Sequence, residues 1–309
     1  MFLAKRMSQF VLVVLLASSI VFVALQVATD PVNTILPPGA SESAREALRG
    51  ELGLDRPVIV QYASFLRGAV SGDLGNSIWL RRAAMPATLE RVPATLALAL
   101  PATLVGLVVG GTLGLIAGFR PGSLLDNFVN FFTYLSMSIA EFWLGIILIL
   151  LLAVQMGLLP TGGYAIDARY MLMPVLVLAV RPLAHTAQMM RSSIIREGGA
   201  QYVMTARAKG ASGLRVGVGH MLRNAAIPVL TLGIYDLSRL FGGAAVAIEV
   251  VFAWPGIGRL AVGALERGDV FLVQSIVLVA AVVVAGLNLI GDLLNFWLDP
   301  RTRVVVKED

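Results

Sequence analysis

Apolar residues occur along most of this chain in long runs that are separated by short polar segments. Six of these runs are each about as long as a helical bilayer crossing requires, which is roughly 20 residues. They cover residues 10–27, 93–119, 125–156, 171–190, 228–252 and 271–297. We therefore predict an all-α, polytopic membrane protein with six transmembrane helices.

A long polar segment separates the first predicted helix from the second. Residues 31–92 contain proline and glycine turn signals and, at 41–49, a short helix with capping residues. We predict a folded extracytoplasmic insertion at this point. The predicted divisions of the chain are residues 1–30 with the first helix, the insertion at 31–92, and a core of five helices at 93–309 that includes a polar segment at 196–228.

The N-terminus has the layout of a signal peptide, since Lys5 and Arg6 precede an apolar run. The run is too long for a signal peptide, and no clean cleavage site of small residues follows it. We predict an uncleaved first transmembrane helix whose N-terminus lies in the cytoplasm.

Basic residues mark one side of the predicted bundle. With six crossings, every short segment on the side of the N-terminus carries lysine or arginine, as the positive-inside rule requires. The residues concerned are Lys5, Arg6, Arg120, the basic residues of 196–228, Arg301, Arg303 and Lys307. Both termini and the segment 196–228 are therefore predicted to be cytoplasmic.

The composition agrees with a membrane protein and narrows the possible chemistry. The chain is 57% hydrophobic and only 14% charged, which is too apolar for a soluble domain of 309 residues. Its net charge of +5 comes mostly from arginines at the ends of apolar runs, which indicates orientation in the membrane and not nucleic-acid binding. The absence of cysteine excludes thiolate chemistry, and two histidines leave little for a metal site. The chain has no Gly-Lys pair and hence no phosphate-binding loop, so any ATP must be bound by another subunit.

The polar segment 196–228 combines positive charge with small residues. Its charged residues are Arg196, Glu197, Arg207, Lys209, Arg215 and Arg223. Residues 205–210 predict a short helix of good helix formers that ends at Gly210, where a turn requires positive φ. Ala206 and Ala208 are small enough to let another protein approach closely. From charge alone, an ordinary basic loop that fixes topology explains the segment equally well.

The sequence of this segment resembles the coupling loop, often called the EAA motif, of permease subunits in binding-protein-dependent ABC importers. The similarity is strongest to the dipeptide, oligopeptide and nickel permease family, and there to the first, dipeptide-type permease subunit. The residues that carry the resemblance are Tyr202 to Gly210, Arg223 to Ala225, Pro228, 252–258 and 298–301.

The resemblance implies a type I ABC importer permease fold and a transport subunit that is not itself an enzyme. In that family the coupling loop docks into a cleft on a separate ATPase subunit. The docking residues that this implies here are Thr205, Ala206, Arg207, Ala208, Lys209 and Gly210. The implied partners are a homologous second permease subunit, two cytoplasmic ATPase subunits and an extracytoplasmic solute-binding protein, all at a membrane.

The resemblance also implies where the protein works and what it carries. No cofactor is expected in this chain, because ATP and Mg would be bound by the partner ATPase subunits. The expected location is the cytoplasmic membrane of a bacterium or archaeon. The expected cargo is di- or oligopeptides, with nickel chelates, glutathione or opines as alternatives for the same machinery.

Ionisable residues inside the predicted helices are candidates for the substrate path, since such residues face a bundle interior or water. Asp236 and Arg239, at i and i+3, can pair on one face near the middle of the fifth helix. The family more often has a neutral, small residue there, so the pair departs from its pattern, and a structural ion pair explains it equally well. Weaker candidates are His185 and Arg181 in the fourth helix, Glu249 in the fifth and Asp292 in the sixth. A lone histidine such as His185 is more often a hydrogen-bonded packing residue.

Two further patterns in the sequence concern packing and an unassigned acid. Gly106, Gly110, Gly114 and Gly118 recur at every fourth residue, which predicts a stripe for close helix packing in lipid. Glu141, near the middle of the third predicted helix, is assigned no role.

Two other functions have some support. Residues 210–213 match the Gly-x-Ser-Gly string of rhomboid-type intramembrane serine proteases, with Ser212 as the nucleophile and His220 or His185 as a base. Such a serine must lie within a helix beside a water-filled pocket in the membrane, whereas Ser212 lies in the most highly charged loop. A self-contained channel or carrier is the third hypothesis, and it would need no ATPase.

Overall fold

The computed structural model describes residues 2–28, 30–37, 39–165, 167–210 and 212–298. Within these ranges the chain forms helices joined by turns, and its β structure is one isolated bridge between Asn76 and Ala83. The all-α prediction is confirmed. Arg301, Arg303 and Lys307, which were predicted to mark the cytoplasmic side, lie outside the described residues.

The helices are numbered in chain order. They are α1 Phe2–Ala28, α2 Pro31–Ile35, α3 Glu42–Leu52, α4 Val58–Ser71, α5 Ala84–Leu89, α6 Val92–Val105, α7 Gly111–Phe119, α8 Leu124–Ser138, α9 Glu141–Leu148, α10 Arg169–Gly198, α11 Gln201–Ala208, α12 Gly213–Val216, α13 Leu222–Arg239, α14 Val246–Val251, α15 Ile257–Glu266 and α16 Val270–Leu298. Four π-helical stretches extend or join them at Gly106–Gly110, Ile149–Gln155, Gly217–Met221 and Leu240–Ala244.

Five helical segments are each long and apolar enough to cross a membrane: Leu3–Val27, Ala84–Phe119, Arg169–Gly198, Leu222–Ala244 and Val270–Leu298. A sixth segment that is long and apolar enough consists of α8 together with α9 and its π-helical extension, Leu124–Ser138 and Glu141–Gln155, which are bent by 99° relative to each other. Near its start, Asp126 contacts Arg191 close to the end of α10. Beyond its other end, Gly163 donates to Phe252 at 2.8 Å and lies beside Tyr170 at the start of α10. The bent pair thus runs from one end of the bundle to the other, in agreement with six crossings.

The first and last helices have their chain ends on the same side of the bundle. Arg6 Nη1 lies 3.1 Å from Asp292 Oδ2, and Tyr235 donates to the other oxygen of this carboxylate at 3.0 Å. The start of α1 therefore lies beside the end of α16, which is the arrangement that an even number of crossings requires.

The third predicted helix is not continuous. Ile139 and Ala140 adopt extended backbone between α8 and α9, and the chain turns there. Neither residue is glycine or proline, so the local sequence gives no sign of the bend. The bend arises from packing, because α8 lies against α7 and α10 whereas α9 reaches α14.

The bounds of the fifth predicted helix also differ from the expectation. α13 begins at Leu222 and continues through Pro228, which was predicted to start the helix. Proline removes one intrahelical hydrogen bond, but neighbouring helices in a bundle compensate for the loss. The helix also ends before Phe252, because Gly243 has a φ of 148° and the separate helix α14 follows it.

α10 lies at the centre of the bundle, where it packs against α6, α7, α8 and α13. The predicted glycine stripe faces it. A Cβ added at Gly106 would lie 2.6 Å from Cβ of Pro182, and one at Gly118 would lie 2.8 Å from Cβ of Ile194. Real Cβ atoms do not approach so closely, so the stripe brings two helix backbones together as predicted.

The insertion folds as three short helices, α2 to α4, beside α1. Ser41 caps α3 through a side-chain hydrogen bond, as expected for the predicted capped helix. Tyr62 and Phe65 of α4 pack on Phe22 of α1 with ring centroids 5.3 and 5.5 Å apart. The last part of the insertion, from Ala84, is already helical and is continuous with the second crossing.

Candidate functional site

The predicted cytoplasmic segment forms a helical hairpin between α10 and α13. α10 ends at Gly198, α11 covers Gln201–Ala208, and the chain reverses at Lys209 and Gly210 before α12. Gly210 has a φ of 82°, in the left-handed region that glycine adopts without strain. The short helix and its glycine stop are therefore as predicted, although the helix begins at Gln201 and not at Thr205.

α11 is fixed to the bundle by one fully buried side chain. Val203 is 0% exposed and lies in an apolar cluster built from both flanking helices. The other buried members of this cluster are Met190, Ile194, Val216, Met221, Ala225 and Val229. Burying a valine contributes about 1.5–3 kcal/mol, so α11 is held against α10 and α13 and moves with them.

A polar clasp of Glu197, Tyr202 and Asn224 joins the same three helices. Glu197 Oε2 accepts hydrogen bonds from the Tyr202 hydroxyl and from Asn224 Nδ2, the latter at 3.2 Å. Asn224 Nδ2 also donates to the Tyr202 oxygen at 3.2 Å. Partial burial, together with the neighbouring Glu197 carboxylate, raises the pKa of Tyr202, so its hydroxyl remains a proton donor at neutral pH.

The outer face of α11 and the turn after it carry the predicted docking residues. Those that are exposed are Thr205, Ala208, Lys209 and Gly210. Ala206 is partly buried and packs against the cluster that holds α11. The side chain of Arg207 lies outside the described part of the chain. Lys209 is the only long side chain among these four exposed residues.

Five ionisable side chains meet inside the bundle, between the start of α9, the middle of α10 and the end of α13. They are Glu141, Arg181, His185, Asp236 and Arg239. Glu141 Oε1 lies 3.1 Å from Arg181 Nε and 3.8 Å from Arg239 Nη1. Asp236 Oδ1 lies 3.6 Å from Arg239 Nε and 3.3 Å from His185 Nδ1. The structure thus brings together His185, Asp236 and Arg239, which are three of the four residues predicted for the substrate path.

Glu141 is the member of this polar cluster that the sequence did not reveal. It is the first residue of α9, directly after the bend that the apolar pattern conceals, so its position depends on tertiary packing. The α10 side of the cluster does have a signal in the sequence. Arg181, His185 and Gln188 are spaced at i, i+4 and i+7 and so lie on one face of a helix.

Comparison with known proteins identifies the family of this chain. The family model described as the inner membrane component of binding-protein-dependent transport systems matches residues 110–304. A second model, for the N-terminal part of the membrane component of these systems, matches residues 1–99.

The chain belongs to this family. The resemblance seen in the coupling-loop strings is thereby confirmed, and the chain is a permease subunit of a binding-protein-dependent ABC importer.

Relatives of this permease match it over most of their length. A putative peptide transport system permease protein of Brucella abortus (strain 2308) is 35% identical over 97% of this chain and 98% of the relative. The oligopeptide transport system permease protein AppB of Bacillus subtilis (strain 168) is 35% identical over 88% and 89%. The dipeptide transport system permease protein DppB of Escherichia coli (strain K12) is 34% identical over 86% and 87%.

A solved transporter has the same fold as this permease. An inward-facing structure of the MetNI methionine ABC transporter aligns with a TM-score of 0.57 over 70% of this chain and 97% of that chain. The sequence identity is 19%, so the likeness concerns the fold alone. It confirms the predicted importer permease fold.

Glu249 of the permease lies apart from the polar cluster, in α14. It is 0% exposed, and its two oxygens accept hydrogen bonds from Thr95 Oγ1 at 2.6 Å and from the N–H of Arg259 at 3.0 Å. These bonds connect α6, α14 and the first turn of α15. The predicted role of Glu249 in the substrate path has no support from this position.

The protease hypothesis has no support from the position of its residues. Ser212 is exposed in the turn before α12 and does not lie within a helix. His185, one conceivable base, contacts Asp236 inside the bundle. The side chain of His220 lies outside the described residues. Membership of a transport family assigns the permease a different function.

Proposed function

We propose that this permease is one of two transmembrane subunits of an importer that carries small peptides into a bacterial or archaeal cell. The observation that carries this proposal is the similarity, over 97% of the chain, to a peptide transport permease. The partners are a homologous second permease, two cytoplasmic ATPase subunits that bind ATP and Mg, and an extracytoplasmic solute-binding protein. That binding protein selects among peptides and the alternative cargoes, which are nickel chelates, glutathione and opines.

The proposed coupling mechanism follows from how α11 is held. An ATPase subunit grips the exposed end of α11, from Thr205 to Gly210, on the cytoplasmic side. Val203 and the clasp transmit any movement of α11 to α10 and α13, because both helices contribute to the buried cluster and to the clasp. ATP binding closes the ATPase pair and tilts α10 and α13, which exchanges an inward-open for an outward-open path.

The polar cluster supports both the substrate path and the need for a second permease. The side chains of Arg181, His185 and Arg239 are 32%, 26% and 33% exposed in the isolated chain. Charged groups at this depth cannot face lipid without a large cost, so the surface that bears them must face a partner subunit or water. A solute path between two permease subunits provides both a partner subunit and water for these charged groups to face.

The docking role is tested by replacing Gly210 with leucine. An L-residue at this left-handed φ costs about 1–2 kcal/mol, and the new side chain projects from the surface that the ATPase grips. We expect ATP-driven peptide uptake by the reconstituted complex to be abolished while the chain remains in the membrane.

Gly72→Leu is the matched control for this experiment. Gly72 also ends a helix with positive φ, 76°, and like Gly210 it has no atom within 4 Å of an added Cβ. It lies in the insertion, so the variant has the same backbone strain without affecting docking and should retain uptake. Normal uptake by Gly210→Leu, or an equal loss in both variants, would count against the docking role.

A further inference from the structure

We propose that Glu141, Arg181, Asp236 and Arg239 form a binding site for the two charged ends of a zwitterionic solute within the membrane. The carboxylates receive the ammonium group of the solute, and the guanidinium groups receive its carboxylate. This inference rests on the proposed function, because it concerns the chemistry that the permease itself recognises, separately from the binding protein.

The charge balance of the four proposed binding residues fits a zwitterion. Two arginines and two carboxylates give no net charge, and their contacts alternate in sign from Arg181 through Glu141 and Arg239 to Asp236. A simple cation or anion would leave one member of each broken pair without a counter-charge, and such a buried charge is costly. A solute with both charges can replace the internal contacts on both sides.

The existing contacts are poorly formed. Arg181 Nε is 3.1 Å from Glu141 Oε1, yet neither atom has an aligned hydrogen-bond partner among the described residues. The same is true of Arg239 Nε and Nη2. Buried polar atoms without partners each cost about 1–3 kcal/mol. A stabilising ion-pair network would satisfy these atoms, whereas a binding site leaves them for its ligand.

Asp236 provides the most specific part of the site. The residue is 3% exposed, and His185 and Arg239 both approach its Oδ1. Its Oδ2 is buried and has no hydrogen-bond partner in the described chain. A buried carboxylate oxygen that is free to accept is suited to an ammonium group, which has three donors and no acceptor.

The position of the cluster agrees with a site that alternating access can expose. Its members come from α9, α10 and α13, and the last two of these helices are joined directly to the clasp around α11. Gln188 Oε1, which lies on the same face of α10 as Arg181 and His185, is also buried without a partner among the described residues. This face of α10 therefore has an additional buried hydrogen-bond acceptor toward its cytoplasmic end.

Small peptides have the required chemistry. The α-amino group has a pKa near 7.7–8.0 and the α-carboxyl group near 3.3–3.7, so both ends of a dipeptide carry charge at neutral pH. Blocking either end removes one charge and alters the shape little. The inference therefore predicts which derivatives of a peptide the membrane site rejects.

The test uses the assembled complex without its binding protein, held outward-open by ATP and a hydrolysis-deficient ATPase in lipid nanodiscs. Binding of radiolabelled dialanine is measured in competition with unlabelled dialanine, N-acetyl-dialanine and dialanine amide. We expect saturable binding of dialanine and at least tenfold weaker competition by each blocked peptide. Asp236→Asn should lose discrimination against the N-acetyl peptide, and Arg239→Gln should lose discrimination against the amide.

Asp167→Asn is the control variant. Asp167 forms an exposed ion pair with Arg169 outside the polar cluster, so its replacement should leave binding unchanged. The inference is overturned if the wild-type complex binds no dialanine, or if blocked peptides compete as well as dialanine. If the inference fails but the complete complex with its binding protein still shows ATP-driven uptake, only the proposed membrane site is ruled out and the proposed function is retained. If the complete complex shows no such uptake, the proposed function itself is contradicted.

Discussion

Replacing Gly114 with alanine is expected to prevent normal packing of the second crossing against α10. An added Cβ would lie 2.9 Å from the carbonyl carbon of Ala187 and closer still to its oxygen. These are backbone atoms of a long helix, so relief requires the two helices to separate. Overpacking of this kind costs about 1–3 kcal/mol or more, and we expect a lower thermal midpoint and less chain recovered from membranes.

Gly111→Ala is the control for Gly114→Ala, because it places the same methyl group on the same helix. Its Cβ would meet only Met190 Cε and Thr186 Cγ2, each at 3.9 Å, which is ordinary van der Waals distance. The Gly111→Ala protein should match the wild type in recovery and thermal midpoint. Equal behaviour of the two variants would show that close contact at Gly114 is not needed.

Replacing Arg191 with glutamine is expected to have a comparably large effect one turn further along α10. Arg191 donates to both oxygens of Asp126 through Nε and Nη2, the second bond at 2.9 Å, and Gly122 N–H donates to the same carboxylate at 2.8 Å. Asp126 is only 2% exposed. Removing the arginine leaves a buried carboxylate without its counter-charge, which costs about 3–5 kcal/mol, and the thermal midpoint of the purified chain should fall.

Arg82→Gln is the control that tests whether burial of the ion pair causes the loss of stability expected for Arg191→Gln. Arg82 pairs with Glu90 at 2.7 Å, but the two side chains are 42% and 56% exposed, and an exposed pair contributes at most about 1 kcal/mol. The Arg82→Gln protein should therefore have nearly the same thermal midpoint as the wild type. Combining Arg191→Gln with Asp126→Asn should recover part of the loss, because no buried charge remains. Similar midpoints for Arg191→Gln and Arg82→Gln would exclude the proposed effect.

The features that the sequence predicted well depend on local composition and on the bilayer. Run length and apolarity determine where a helix can cross. Each of the six predicted crossings therefore corresponds to an apolar helical segment, although the third and fifth are broken internally. The glycine stripe has a period that places it on one helix face, so its packing role followed from spacing alone. Gly210 was recognisable because a helix that ends in a turn requires positive φ there.

The features that the sequence missed depend on contacts between distant segments. The bend at Ile139 and Ala140 has no glycine or proline to signal it, and Glu141 reaches Arg181 and Arg239 because of that bend. Glu249 was considered for the substrate path because an acid among apolar residues looks functional. Its position beside Thr95 depends on the separate helix α14, which the apolar pattern merged with the fifth helix, and on α15, which follows it.

The proposal that an external ATPase drives this permease through α11 is tested most directly by cross-linking from Ala208. The natural chain has no cysteine, so Ala208→Cys introduces a single, exposed thiol next to Gly210. Ser71→Cys is the control, because it provides an exposed thiol at the end of α4 in the insertion, which we propose to be extracytoplasmic.

A cleavable thiol-to-amine reagent is applied to the complete complex in vesicles, and ATP-driven uptake is measured before and after reduction. We predict that Ala208→Cys becomes joined to an ATPase subunit, that uptake stops, and that reduction restores it, whereas Ser71→Cys joins no ATPase. The account is contradicted if the Ala208→Cys thiol reacts only from the outside, or if the permease transports solute in vesicles that contain no ATPase.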